Sequence, residues 1–97
     1  MILYHCTTEA AAAAILANGF RNNGPFTVLG LYGVFFSNYP VNIMEGAKGD
    51  TYLTVNIPAK LIKDCELIEE GKPYREWCIP AALVNQYKIT FLGKLLE

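Results

Sequence analysis

The chain has 97 residues, of which 53% are hydrophobic, 12% aromatic and 18% charged. That is too apolar for a disordered segment and long enough for one small domain. Eight Lys and Arg stand against nine Asp and Glu, a formal charge of −1. No global positive field exists to hold nucleic acid without regard to sequence, which disfavours a nucleic-acid partner.

A single domain over residues 1–97 is expected, burying roughly 60–70% of the surface its unfolded chain exposes. Three cysteines, Cys6, Cys65 and Cys78, are odd in number and widely spaced, unlike a secreted disulfide scaffold. They read as reduced thiols, and their spacing does not fit a zinc template. The opening MILYHCTTEA has no basic region followed by an apolar stretch, and no apolar run is long enough to span a bilayer. A cytoplasmic protein with no membrane partner is the expectation.

Ile2 to His5 read as a short strand. Thr7 and Thr8 offer N-cap hydroxyls and Glu9 suits a first helical turn. The five alanines Ala10 to Ala14 followed by Ile15, Leu16 and Ala17 predict a helix, and Asn18-Gly19 predicts its stop. Phe20 is placed to pack back on the last turn. Arg21 to Pro25 is rich in turn formers and reads as a loop. Phe26 to Leu29 reads as a short strand or irregular. Gly30 to Gly33 is a turn feeding a buried strand, Val34 to Ser37. Asn38 and Pro40 predict the cap and first turn of a short helix through Met44 or Glu45, then a loop over 46–50. Thr51 to Ile57 alternates, with Leu53, Val55 and Ile57 on one face. Pro58 ends it, and Ala59 to Lys63 suits one helical turn. Strands are expected at Asp64 to Ile68, Tyr74 to Ile79 and Tyr87 to Leu92. A loop lies at 69–73 and a helical turn at Pro80 to Val84. The sum is an α+β chain with five to seven short strands and one substantial helix near the front.

His5 is the single histidine, at a strand end beside a helix start. It reads either as a ligand contact or as a ring held by one structural hydrogen bond. Cys6 reads either as a thiol whose pKa the neighbouring imidazole lowers or as a buried inert thiol. Glu66, Glu69 and Glu70 read as a solvated rim. Glu76 sits in a strand pattern beside Trp77 and Ile79, so it must be exposed at an edge, paired with Arg75 or turned into a cleft. Ser37 reads as a pocket hydroxyl or a cap for the next turn, and Tyr32 and Phe35 as a pocket wall or as core.

Three pieces in order resemble one family. Leu3-Tyr4-His5-Cys6-Thr7 precedes a helix ending Ile15-Leu16-Ala17-Asn18-Gly19-Phe20. Tyr32-Gly33-Val34-Phe35-Phe36-Ser37 is the second piece and Glu76-Trp77-Cys78-Ile79-Pro80 the third. Together they resemble poly- and mono-ADP-ribosyltransferases of the His-Tyr-Glu class. The resemblance implies a split β-sheet core and NAD⁺ as substrate. It implies that His5 bonds a ribose hydroxyl, with the Cys6 backbone on the nicotinamide amide and Thr7 supporting the pocket. It further implies an aromatic wall at Phe35 or Tyr32, with Ser37 beside it, and Glu76 on the nicotinamide ribose. Phe35 stands where the family carries Tyr, and Cys6 where glycine is common. The implied activity is transfer of ADP-ribose to a protein acceptor, or less favourably to nucleic acid, with release of nicotinamide. The alternatives are a module that binds an NAD-like nucleotide or blocks a partner protein without turnover, and an interaction domain with no ligand. The enzyme reading expects His5, Phe35 and Glu76 to converge on one cleft of roughly 300–1,000 Å³.

Overall fold

Strand β1 (Ile2–Thr7) leads straight into helix α1 (Glu9–Asn18) in a computed structural model that describes residues 1–26, 31–41, 49–68 and 70–94. The helix starts where the sequence places it. Thr8 has extended backbone, and its Oγ1 accepts the Ala11 N–H at 3.1 Å, satisfying a donor that has no partner inside the helix. It stops at Gly19, whose φ of +84° is open to glycine at little cost. The Gly19 N–H returns to the Ile15 carbonyl at 2.7 Å.

The remaining elements are β2 (Asn23–Phe26), β3 (Leu31–Ser37), β4 (Thr51–Asn56), β5 (Glu66–Leu67), β6 (Glu76–Ile79), α2 (Ala81–Val84) and β7 (Thr90–Lys94). Two 3-10 turns, Ala59–Leu61 and Lys63–Cys65, precede β5. The strands form one antiparallel sheet in the order β5-β6-β3-β1-β4-β7, with β2 pairing β3 off that path. The architecture is α+β.

Register fixes the two faces of this sheet, because residues directly opposite one another share a face and neighbours along a strand do not. Thr90, Thr54, Tyr4, Ser37, Glu76 and Leu67 are paired in succession across all six strands of the path and so share one face. Leu3, His5, Val34, Phe36, Leu53, Val55, Trp77 and Ile79 take the other. This second set, His5 apart, is the core: Leu3, Leu53 and Ile79 are fully buried, and Trp77 and Phe36 nearly so. Ala12 of α1, Phe20, Ile62, Ala81 and Val84 close over it. Full burial of a side chain of this size contributes about 1.5–3 kcal/mol. The Asn85 amide ties the lid down: its Oδ1 accepts the Phe20 N–H at 2.8 Å and its Nδ2 donates to the Phe20 carbonyl at 2.9 Å.

Several boundaries differ from expectation. Asn23 to Pro25, expected in a loop, belong to β2. The strand expected over Asp64 to Ile68 shrinks to Glu66–Leu67, because Lys63–Cys65 coils into a 3-10 turn. The strand expected from Tyr74 starts at Glu76, after residues held by Asn38: its Oδ1 accepts the Arg75 N–H at 2.9 Å. The last strand runs Thr90–Lys94 rather than Tyr87 to Leu92, since the Tyr87 N–H closes the turn after α2 on the Val84 carbonyl. The strand over 27–29, positions 42–45 of the expected short helix and 46–48 of the following loop fall outside the described residues; the cap and first turn expected at Asn38 and Pro40 are described and not helical, the Asn38 Oδ1 being taken by the Arg75 N–H.

Candidate functional site

The site builds outward from the junction of β1 and β3. These strands pair at Tyr4↔Ser37, and no further pair continues the ladder among the described residues. The register would next set His5 opposite Phe36. Instead the imidazole spans the gap, with Nδ1 2.8 Å from the Phe35 carbonyl oxygen. A carbonyl only accepts, so Nδ1 carries the proton and, in the neutral ring, Nε2 is the acceptor. Phe20 packs edge-on at 5.2 Å and 86°, and Phe36 lies at 5.6 Å. Burial holds the His5 pKa below its ordinary value of 6.5, against the smaller opposing effect of the Phe35 carbonyl. The ring is therefore neutral at pH 7.

Glu76 opens β6 on the other face. It stands opposite Ser37 on one side and Leu67 on the other. Its Oε1 accepts from the Lys72 ammonium at 2.8 Å, and Tyr74 also bonds its carboxylate. Lys72 in turn lies 5.4 Å from the Tyr74 ring, which packs on Tyr39 at 5.2 Å. Arg75, one expected partner of Glu76, pairs elsewhere. Its Nε and Nη2 grip Glu66 at 2.8 and 2.7 Å while its guanidinium covers Trp77. The cause is alternation: Arg75 and Glu76 are sequence neighbours at the mouth of one strand and point to opposite faces. The bidentate bond to Arg75 holds the Glu66 pKa down, and the pair is a solvent-facing one.

The same alternation divides the residues singled out in the sequence. Cys6, Phe35, Ser37 and Glu76 share one face; His5, Thr7 and Tyr32 belong to the other. His5 and Glu76 are therefore not brought to a common hollow. Tyr32 is 61% exposed near the start of β3 and faces away from Phe35. Cys6 does not become an activated thiol. Its side chain turns from His5, its Sγ donates to the Gly49 carbonyl at 3.0 Å, and burial raises its pKa despite bonds to Tyr52 and Gly49. Ser37 is buried and its hydroxyl donates to the Tyr39 carbonyl at 2.7 Å, the capping role for a strand-end serine. Thr7 pairs with Thr51, and its carbonyl lies so close to Gly49 that a Cβ there would collide with it.

Sequence reasoning missed Lys72, Tyr74 and Tyr4. The first two lay in a predicted loop and an ordinary strand start, and nothing in their spacing signals a carboxylate clamp. Tyr4 joins Ser37 and Glu76 only through a strand pairing made across the chain. Among the described residues no three His, Cys, Asp or Glu side chains gather closely enough to share a metal ion. A shallow hollow of about 270 Å³ lies toward the other end of the Glu76 face, at Ile2, Thr54, Asn56, Lys88 and Thr90; it includes none of the residues singled out above. No helix among the described residues is long and apolar enough to cross a membrane. Comparison with known proteins finds no matching family model, no similar curated protein and no similar solved structure.

Proposed function

We propose that the chain is an ADP-ribosyltransferase-like domain that takes NAD⁺ as substrate and works through the face carrying Phe35, Ser37 and Glu76. The observation that carries this reading is the β3–β6 register. Ser37 opposite Glu76 and Phe35 opposite Cys78 set an aromatic ring, a hydroxyl and a carboxylate on one face of two adjacent strands. Directly opposite side chains start about 5 Å apart and alternate ones on a strand about 7 Å apart, a span that suits one nucleoside.

In this reading Phe35 provides the surface against which the nicotinamide ring stacks. The bond between the ribose anomeric carbon and the nicotinamide nitrogen breaks, and its electron pair leaves with neutral nicotinamide. Positive charge develops on the ribose, and the Glu76 carboxylate, held by Lys72 and Tyr74, stabilises it. A nucleophile of the acceptor then bonds the anomeric carbon and loses its proton. The near-neutral charge favours a protein acceptor over nucleic acid. The ribose contact implied for His5 is not part of this reading, because its side chain belongs to the opposite face.

A second reading, capture of an NAD-like nucleotide without turnover, draws on that same separation and on the ammonium already seated on Glu76. One experiment divides the two. The full chain is incubated with NAD⁺ while nicotinamide release and saturable binding are both measured, alongside Glu76→Gln. Transfer chemistry predicts release that falls roughly 10²–10³-fold in Glu76→Gln with binding kept. Binding without release selects capture, and neither signal overturns both.

A further inference from the structure

Among the described residues the ladder between β1 and β3 has one bridge, and the His5 side chain next to it reaches the β3 backbone. From this geometry we infer that His5 is a positioning residue: its Nδ1–H bond to the Phe35 carbonyl clasps β1 to β3 and fixes the strand that presents Phe35 and Ser37. The bond measures 2.8 Å, within the ordinary range for a good hydrogen bond. The ring is held on its flanks by Phe20 and Phe36, which also pack on each other at 5.3 Å, so its direction is set by packing. Phe20 is in turn locked through both its backbone groups by Asn85. The clasp is thus braced from the lid of the core.

A main-chain clasp suits this place. The His5 ring donates to the Phe35 carbonyl one residue beyond the Tyr4↔Ser37 bridge, so a side-chain bond joins the two strands where the described main-chain ladder ends. The imidazole therefore acts on the opposite face through the backbone of β3, not by reaching through the sheet. Its consequence for catalysis rests on the reading of Phe35, Ser37 and Glu76 as the working face; the clasp itself does not.

The two ring nitrogens can be tested apart. An asparagine amide nitrogen falls near Nδ1 of a histidine, a glutamine amide nitrogen near Nε2. His5→Asn, His5→Gln and His5→Ala are made in the full chain, with folding checked by circular dichroism. Amide hydrogen exchange at Tyr4 and Ser37, whose main-chain groups meet across β1 and β3, and NAD⁺-dependent nicotinamide release are then read for each. The clasp predicts that Asn keeps the exchange protection of the native chain, while Gln and Ala lose roughly three- to tenfold. It predicts the same order in kcat, with KM for NAD⁺ nearly unchanged. If Gln behaves as the native chain and Asn as Ala, Nε2 is the working atom and the inference fails. It fails equally if all three variants keep their protection. Should Ala not fold, the Asn and Gln pair decides. Should even the native chain release no nicotinamide, the transferase reading is lost while exchange still judges the clasp.

Discussion

His5 is a base kept neutral by its surroundings, and that has a thermodynamic signature. Its folded pKa lies below the ordinary 6.5, so as pH falls below that value the unfolded chain takes up a proton before the folded one does. The sign is therefore a loss of stability on acidification, beginning near the ordinary pKa and ending only below the folded one. The rings of Phe20 and Phe36 against it bring no charge to reverse this. Urea titrations at successive pH values should show the native chain losing stability relative to His5→Asn as pH falls below about 6.5; parallel profiles would contradict the assignment. Gly49 makes a second residue-scale demand. A Cβ there meets the Thr7 carbonyl and the Thr8 nitrogen, both main chain and unable to swing away. Gly49→Ala should cost about 2–3 kcal/mol in denaturant unfolding, and it should loosen the Cys6 bond to the Gly49 carbonyl.

At the scale of elements, α1 shows what local chemistry can specify. Thr8, the alanine run and Asn18-Gly19 are strong signals, and the helix begins and ends on them. Thr8→Ala should lower stability by about 1 kcal/mol through loss of the cap, measurable as a reduced urea midpoint at unchanged slope. The alternation of Leu53, Val55 and Ile57 was equally legible, and all three are buried. Less legible were ends decided by tertiary partners. β6 starts late because Asn38 holds Arg75, and β7 starts late because Tyr87 completes a turn on Val84. The Asn85 lock on Phe20 spans 65 positions and leaves no mark in local pattern. Asn85→Ala takes the side-chain partner from both the N–H and the carbonyl of Phe20, and a loss of about 1–3 kcal/mol is expected, read by thermal or chemical melting.

For the whole molecule, the sheet's two faces decide what the residues can do together. Strand identity placed His5, Phe35 and Glu76 on neighbouring strands of the path, β1, β3 and β6. Which face each side chain takes depends on register, and a shift of one residue reverses it. Register here is set by Tyr4↔Ser37 and Ser37↔Glu76, pairings between residues 33 and 39 positions apart that no local pattern encodes. This is why the α+β class and the front helix were legible while the convergence of the imidazole and the carboxylate was not. In the proposed function NAD⁺ binds on the Phe35, Ser37 and Glu76 side of the sheet. Titrating the isotope-labelled chain with NAD⁺ and following side-chain and amide resonances tests it most directly. Saturable shifts centred on Phe35, Ser37, Glu76 and Tyr4, with the methyls of Leu53, Val55 and Ile79 largely still, are the predicted result. Shifts confined to Leu53, Val55 and Ile79, or none at millimolar NAD⁺, would overturn the proposal.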